Sequence, residues 1–302
     1  MERNEEFAMF RAALEIADLR PNAIILPDDH QVIVGKMRFH YLDWGGSGTP
    51  ILFLHGGGIN AHTWDCVAVM LRERYRCIAL DQRGHGDSEW SPVVDYRVAT
   101  HVDDIEGFIA ATGLERPIVV GQSMGGLNSI GYATRHSDRM RALVVVDVAP
   151  EISAPGAERI RDFSSTPELD SPEGFLERAV NFNPIRNPAV LRRSLHYNLR
   201  ETPAGKWAFK HDQRRRPDDA MRAFTADRER LASEVAKIKC PALIVRGALS
   251  DVLTDAAAEK FAHSLPNGRW VRVEKSGHNV QGDNPRGLLD AMTAFFAEAG
   301  IS

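Results

Sequence analysis

Gly121-Gln122-Ser123-Met124-Gly125 decides how the rest of this chain is read. Pro117-Ile118-Val119-Val120 before it reads as a buried strand, and the residues from Met124 to about Arg135 read as a helix. A serine in G-x-S-x-G between strand and helix is the nucleophile-elbow pattern. The turn is strained and crowds the positions two before and two after the serine. Gly121 and Gly125 have no Cβ to clash there, and Gly126 lets the helix approach the sheet. The competing reading is an ordinary Gly-rich turn with a solvated serine.

Three other segments add weight. His55-Gly56-Gly57-Gly58 follows the apolar strand Ile51-Leu52-Phe53-Leu54. Backbone N–H groups of such a turn can point at a developing oxyanion, and the expected donors are those of Gly57 and Met124. His55 is expected to pack beneath the turn and hold its shape. Ser276-Gly277-His278-Asn279 follows the strand Trp270-Val271-Arg272-Val273. Of the eleven histidines, His278 alone combines a Gly-preceded loop with a place after the last strand, so it is the expected general base. Gly247-Ala248-Leu249-Ser250-Asp251 follows the strand Ala242-Leu243-Ile244-Val245-Arg246. An acid there can accept the second ring N–H of the histidine. Asp251 ranks first for that role. Asp147, ending the strand 142–146, ranks second, and Asp255, read as the N-cap of a helix over 256–264, ranks third.

Serine, acid and histidine in that chain order resemble the α/β-hydrolase fold superfamily, over a span from about Arg38 to Glu298. Asp81-Gln82-Arg83-Gly84-His85-Gly86-Asp87-Ser88 is similar to the D-x-R-G-x-G-x-S loop of its lidded, small-molecule branch. That loop is expected to order the site rim, with neither Arg83 nor His85 catalytic. The resemblance implies a serine hydrolase acting through an acyl-enzyme. A small carboxylic ester is the expected substrate, because alkoxide leaving groups demand least of a generic triad. Amide, lactone and ring-cleavage dienoate (C–C) hydrolysis are the alternatives. Asn279 stands where the C–C hydrolases usually carry Trp, which weakens that reading. Ser123 argues against the relatives that use an aspartate nucleophile. A non-catalytic receptor, a lyase or a cofactor-free oxygenase on the same fold are further alternatives.

The whole-chain numbers fit a globular protein. The 302 residues are 43% hydrophobic and 26% charged, with 41 acidic against 37 basic side chains and a net charge of −4. Nothing there provides a footprint for nucleic acid or an anionic membrane. Cys66, Cys77 and Cys240 are scattered and read as reduced thiols. No metal-ligand spacing occurs among Cys and His, so neither metal nor cofactor is expected. The charged start, Met1 to Glu6, lacks the apolar region of a secretory signal, and cytoplasmic residence is expected.

Four segments follow. Residues 1–27 form an N-terminal helical extension, with Phe7, Phe10, Leu14 and Ala17 at helical spacing. It is expected to pack on the body, with a homodimer interface as the competing use. Residues 28–149 and 240–302 form the α/β core. Its opening hairpin (31–35 and 38–43) precedes short, β-branched strands near 51–54, 76–80, 117–121, 141–147, 241–246 and 269–273. Such strands imply a mostly parallel, twisted sheet covered by helices on both faces. Residues 150–239 read as a helical lid without a clear strand, punctuated by prolines from Pro155 to Pro217. Its aromatics are expected to be lid core. Arg214-Arg215-Arg216 is read as a solvated face, and His196 and Arg192 as groups that could meet a polar substrate.

Overall fold

The computed structural model describes residues 3–214 and 217–302, apart from the side chains at 154, 157 and 217–221. Helix α1 (Arg3–Ile16) precedes the antiparallel hairpin β1 (Asp28–Val34) and β2 (Met37–Asp43). Alternation then follows as expected: β3 (Pro50–Leu54), α2 (Asp65–Leu71), β4 (Arg76–Leu80), α3 (Val98–Thr112), β5 (Ile118–Gln122), α4 (Met124–His136) and β6 (Ala142–Val146). An insertion carries α5 (Ala154–Ser164), α6 (Pro172–Phe182), α7 (Pro188–Asn198), β7 (Leu199–Glu201), β8 (Trp207–Phe209) and α8 (Pro217–Glu234). The core closes with β9 (Ala242–Gly247), α9 (Asp255–Ser264), β10 (Gly268–Val273), α10 (Val280–Asp283) and α11 (Pro285–Glu298).

The eight-stranded sheet runs β1-β2-β4-β3-β5-β6-β9-β10. Strands β3 to β6, β9 and β10 are mutually parallel, while β2 meets β4 antiparallel. Side-chain alternation splits the core in two. Ile51, Phe53, Ile118 and Val120 pack towards α1, α2 and α11. Leu52, Leu54, Val119 and Val145 pack towards α3, α4 and α9. Strand order reverses at β3, since β4 lies on one side of it and β5 on the other. Ligands bind outside the carboxyl ends at such a switch point. The His55 turn and the Ser123 turn leave the sheet there.

Prolines in the insertion start helices. Pro172, Pro188 and Pro217 are first residues and Pro155 is a second, where a missing N–H costs nothing. The segment is not strand-free, because β7 and β8 pair antiparallel. Gly205, at φ 74°, makes the turn between them. Phe175, Leu191, Leu195 and Phe209 give the insertion its own small core.

Helix α1 packs within the chain. Phe10 is fully buried beneath the Arg193 guanidinium, and Glu6 accepts a hydrogen bond from Tyr197. Arg193 also pairs with buried Asp65, so α7 and α2 are tied together. The N-cap of α9 is Thr254, which accepts from Ala257 N–H, rather than Asp255. Asp255 opens the helix one residue later and pairs with Arg246 and Arg272. Arg215 and Arg216 lie outside the described residues, while Arg214 pairs with Asp212. No helix among the described residues is long and apolar enough to cross a membrane.

Candidate active site

Ser123 sits between β5 and α4 at φ 53° and ψ −118°, a conformation that costs an L-residue about 1–3 kcal/mol. Neighbouring glycines make it attainable. A Cβ on Gly121 would lie 2.2 Å from the Gly125 carbonyl oxygen, and one on Gly125 would lie 2.4 Å from that of Leu54. The Ser123 N–H donates to Val146 and the Gly125 N–H to His55, so the elbow is stitched to both neighbouring strands.

The His55 turn stands against the elbow. A Cβ on Gly56 would lie 3.3 Å from Ser123 Cβ, and one on Gly57 would lie 3.9 Å from Met124 Cβ. Fully buried His55 accepts the Gln82 N–H at Nε2 and bonds the Gly56 carbonyl through Nδ1. Burial lowers its pKa, so the ring is neutral and braces the turn. The Asp81 loop is equally tied. Asp81 accepts from the Ala61 and Asp87 N–H groups and from His40, and Arg83 forms a bidentate pair with Asp104. Burial disfavours a charged His40, but its bonds to Asp29 and Asp81 outweigh this and raise it to about 9. His40, Asp81 and Asp87 bring their ligand-type atoms within 4.8 Å of one another.

His278 is held from three sides. Its Nδ1 lies 2.8 Å from Asp147 Oδ2, and its carbonyl accepts from Gln122 Nε2 at 3.0 Å. The loop around it is clamped by Asp283, which accepts the Gly277 N–H at 2.9 Å. Asp283 in turn accepts from Arg186 and Asn183 of the insertion, and Arg186 also reaches the Asn279 carbonyl. Pairing with a carboxylate puts the ring proton on Nδ1 and leaves Nε2 as an acceptor. Nε2 is buried, has no hydrogen-bond partner among the described residues, and belongs to a ring that shares a cavity with Ser123. Nucleophile–base bonds are often long before substrate binds.

The acid ranked first is displaced. Asp251 points outward to Arg159 at 2.8 Å, with both side chains about half exposed. Asp147 is fully buried and holds the ring instead. Its Oδ1 accepts the Gly247 N–H at 2.8 Å, and its Oδ2 also accepts the Ser250 hydroxyl. The 247–251 loop therefore does meet the histidine's partner, but through Ser250, the residue before the expected one. A φ of 54° at Asp147 turns the chain at the end of β6 and brings its carboxylate under the His278 loop. Ser250, Gln122 and Asp283 have no sequence signal beyond lying in or near the motifs, and Arg186 lies in the insertion away from all of them. His196 and Arg192 line neither cavity at Ser123; Arg192 pairs with Glu173 at the surface.

Ser123 lines two cavities. One, of about 230 Å³, is lined by His278, Asn279, Phe163 and Phe182. The other, of about 310 Å³, is lined by Met124, Leu127, Val148 and Phe224. Gly57, Gly58, Ser123, Ile160 and Ser164 belong to both.

The family model described as alpha/beta hydrolase fold matches residues 49–285. The chain belongs to the α/β-hydrolase fold family. This hydrolase is 33% identical over 294 residues to Esterase Rv0045c of Mycobacterium tuberculosis, covering 95% of this chain and 94% of that one. A solved structure of that esterase superposes with a TM-score of 0.77 at 31% identity, covering 97% of this hydrolase and 98% of its own chain. A second relative, 2-(acetamidomethylene)succinate hydrolase of Mesorhizobium japonicum, is 30% identical over 281 residues, covering 88% of this chain and 94% of that protein. A crystal structure titled for E-2-(acetamidomethylene)succinate hydrolase superposes with a TM-score of 0.79 at 26% identity, covering 90% and 99% of the two chains.

Proposed function

We propose that this hydrolase cleaves a carboxylic ester through Ser123, His278 and Asp147. The observation that carries the reading is the His278 ring, held by a buried carboxylate at Nδ1 while Nε2 stays unpartnered beside the serine cavity. His278 takes the Ser123 proton as the hydroxyl attacks the carbonyl carbon, and Asp147 stabilises the imidazolium. The oxyanion rests on the Gly57 and Met124 N–H groups, each worth about 3 kcal/mol of barrier. His278 then protonates the departing alkoxide, and water delivered through the same base frees the acyl group.

Similarity to a named esterase over nearly the whole chain supports ester over other acyl substrates. The relative named for a succinate favours a second reading, a charged diacid derivative. The buried cation of the cavities weighs against it: Arg186 is committed to Asp283, while Arg159 and Arg161 make only partly exposed pairs with Asp251 and Glu158. The same proposal places the enzyme in the cytoplasm, supported by three free cysteines. Hydrolysis of p-nitrophenyl acetate and butyrate tests it. Turnover should be measurable and should fall by several orders of magnitude in Ser123→Ala; esters left untouched, or cleaved equally by the variant, would overturn it.

A further inference from the structure

We propose that the cavity at Ser123 that His278 does not line is the acyl site, and that it takes a neutral aliphatic acyl chain of about ten non-hydrogen atoms. The inference deepens the esterase reading and rests on it.

The geometry of acyl transfer assigns the two cavities. The leaving alkoxide receives its proton from His278 Nε2, so it must depart on the side the imidazole lines. His278 lines only the 230 Å³ cavity. The carbonyl oxygen is committed to the Gly57 and Met124 N–H groups, and the third substituent of the carbon must go elsewhere. The 310 Å³ cavity begins at Met124 and shares Ser123 and Gly57. Its volume is about ten times the 30 Å³ share of a liquid water, room for a chain of about ten non-hydrogen atoms.

Chemistry of the walls sets the class. The surface is mostly apolar, and Val98, Leu127, Val148, Ile152, Phe224 and Val252 line it. The buried polar groups there offer nothing to an anion. His211 bonds the Ser164 carbonyl through Nε2, which therefore carries the proton, and Nδ1 is a buried acceptor without a partner. Asn128 donates to Gln82 and leaves its own Oδ1 buried and unpartnered. Burial keeps His211, lowered to about 4, and His85 uncharged. Asp212 is engaged by Tyr96 and Arg214, Asp227 accepts the Val98 N–H, and Arg161 pairs with Glu158. A carboxylate on the acyl chain would meet acceptors, whereas methylenes would meet apolar walls.

The test is a p-nitrophenyl ester series from acetate to palmitate, with the succinate monoester as the charged probe. kcat/KM should rise by up to about fourfold per methylene to about octanoate or decanoate, then fall. The succinate monoester should run at least tenfold below butyrate. Ile152→Trp should cut the octanoate-to-acetate ratio at least tenfold. Ile185→Trp, in the other cavity, should leave that ratio unchanged. A flat profile, or a ratio that answers to Ile185→Trp and not to Ile152→Trp, overturns the assignment while leaving the esterase reading intact. Binding of 2-decanone, an uncleavable neutral ketone, to Ser123→Ala separates the two claims where no ester is turned over. Binding that Ile152→Trp abolishes supports the cavity without the activity; no binding overturns the cavity as well.

Discussion

Asp147→Asn is the sharpest perturbation of the proposed machinery. The carboxylate is fully buried and accepts from Gly247 N–H at 2.8 Å, from the Ser250 hydroxyl and from His278 Nδ1 at 2.8 Å. An asparagine is nearly isosteric. Its carbonyl can keep Gly247, while its NH2 faces Ser250 and His278. Ser250 can rotate to accept. His278 can accept only by moving its proton to Nε2, which removes the proposed base. That tautomer inversion costs about four orders of magnitude in kcat, or roughly 5.5 kcal/mol of barrier. The Ser250 hydroxyl, which also accepts the Val252 N–H, loses its own acceptor, so the stability loss should be about 1–3 kcal/mol. The paired control is Asp251→Asn. It breaks a half-exposed pair with Arg159, worth under about 1 kcal/mol, and should leave kcat within about twofold. Steady-state hydrolysis of p-nitrophenyl butyrate, with urea unfolding of each variant, reads both effects. Large loss in Asp251→Asn with near-normal turnover in Asp147→Asn would refute the reasoning.

Two further outcomes are expected. Asp283→Asn loosens the clamp that joins Arg186 and Asn183 to the His278 loop, so kcat should fall by about tenfold or more with a smaller change in KM. An effect on KM alone would mean that the clamp shapes only the cavity. His40 is raised to about 9 in the folded state against 6.5, so its contribution to stability is complete below pH 6.5 and is lost as pH climbs through about 9. Urea unfolding of the wild type should show that alkaline decline, at most a few kcal/mol, and His40→Gln should flatten it; parallel curves would assign the decline to other groups.

The sequence by itself determined the strand-turn-helix frame and the local turns that carry Ser123, the His55–Gly58 segment and His278. Those features are written in short stretches: apolar β-branched runs, glycines where backbones crowd, and a loop after the last strand. The last helix begins at Pro285 and ends at Glu298 in the structure, because proline and a strong apolar period mark it locally. The choice of acid was different. Asp147 and Asp251 both follow parallel strands, and no local signal separates them. Packing decides it: β6 and β9 are neighbours, Ser250 bonds the Asp147 carboxylate, and Asp251 is turned to the surface. Asp147 follows β6 directly at a positive φ, whereas Asp251 lies in the turn beyond β9, and only the assembled loops decide which carboxylate meets the histidine. The division of the site into two cavities lies further still from the sequence. It depends on α5, α6, α7 and α8 meeting the carboxyl edge of the sheet, where each wall takes residues from segments far apart in the chain.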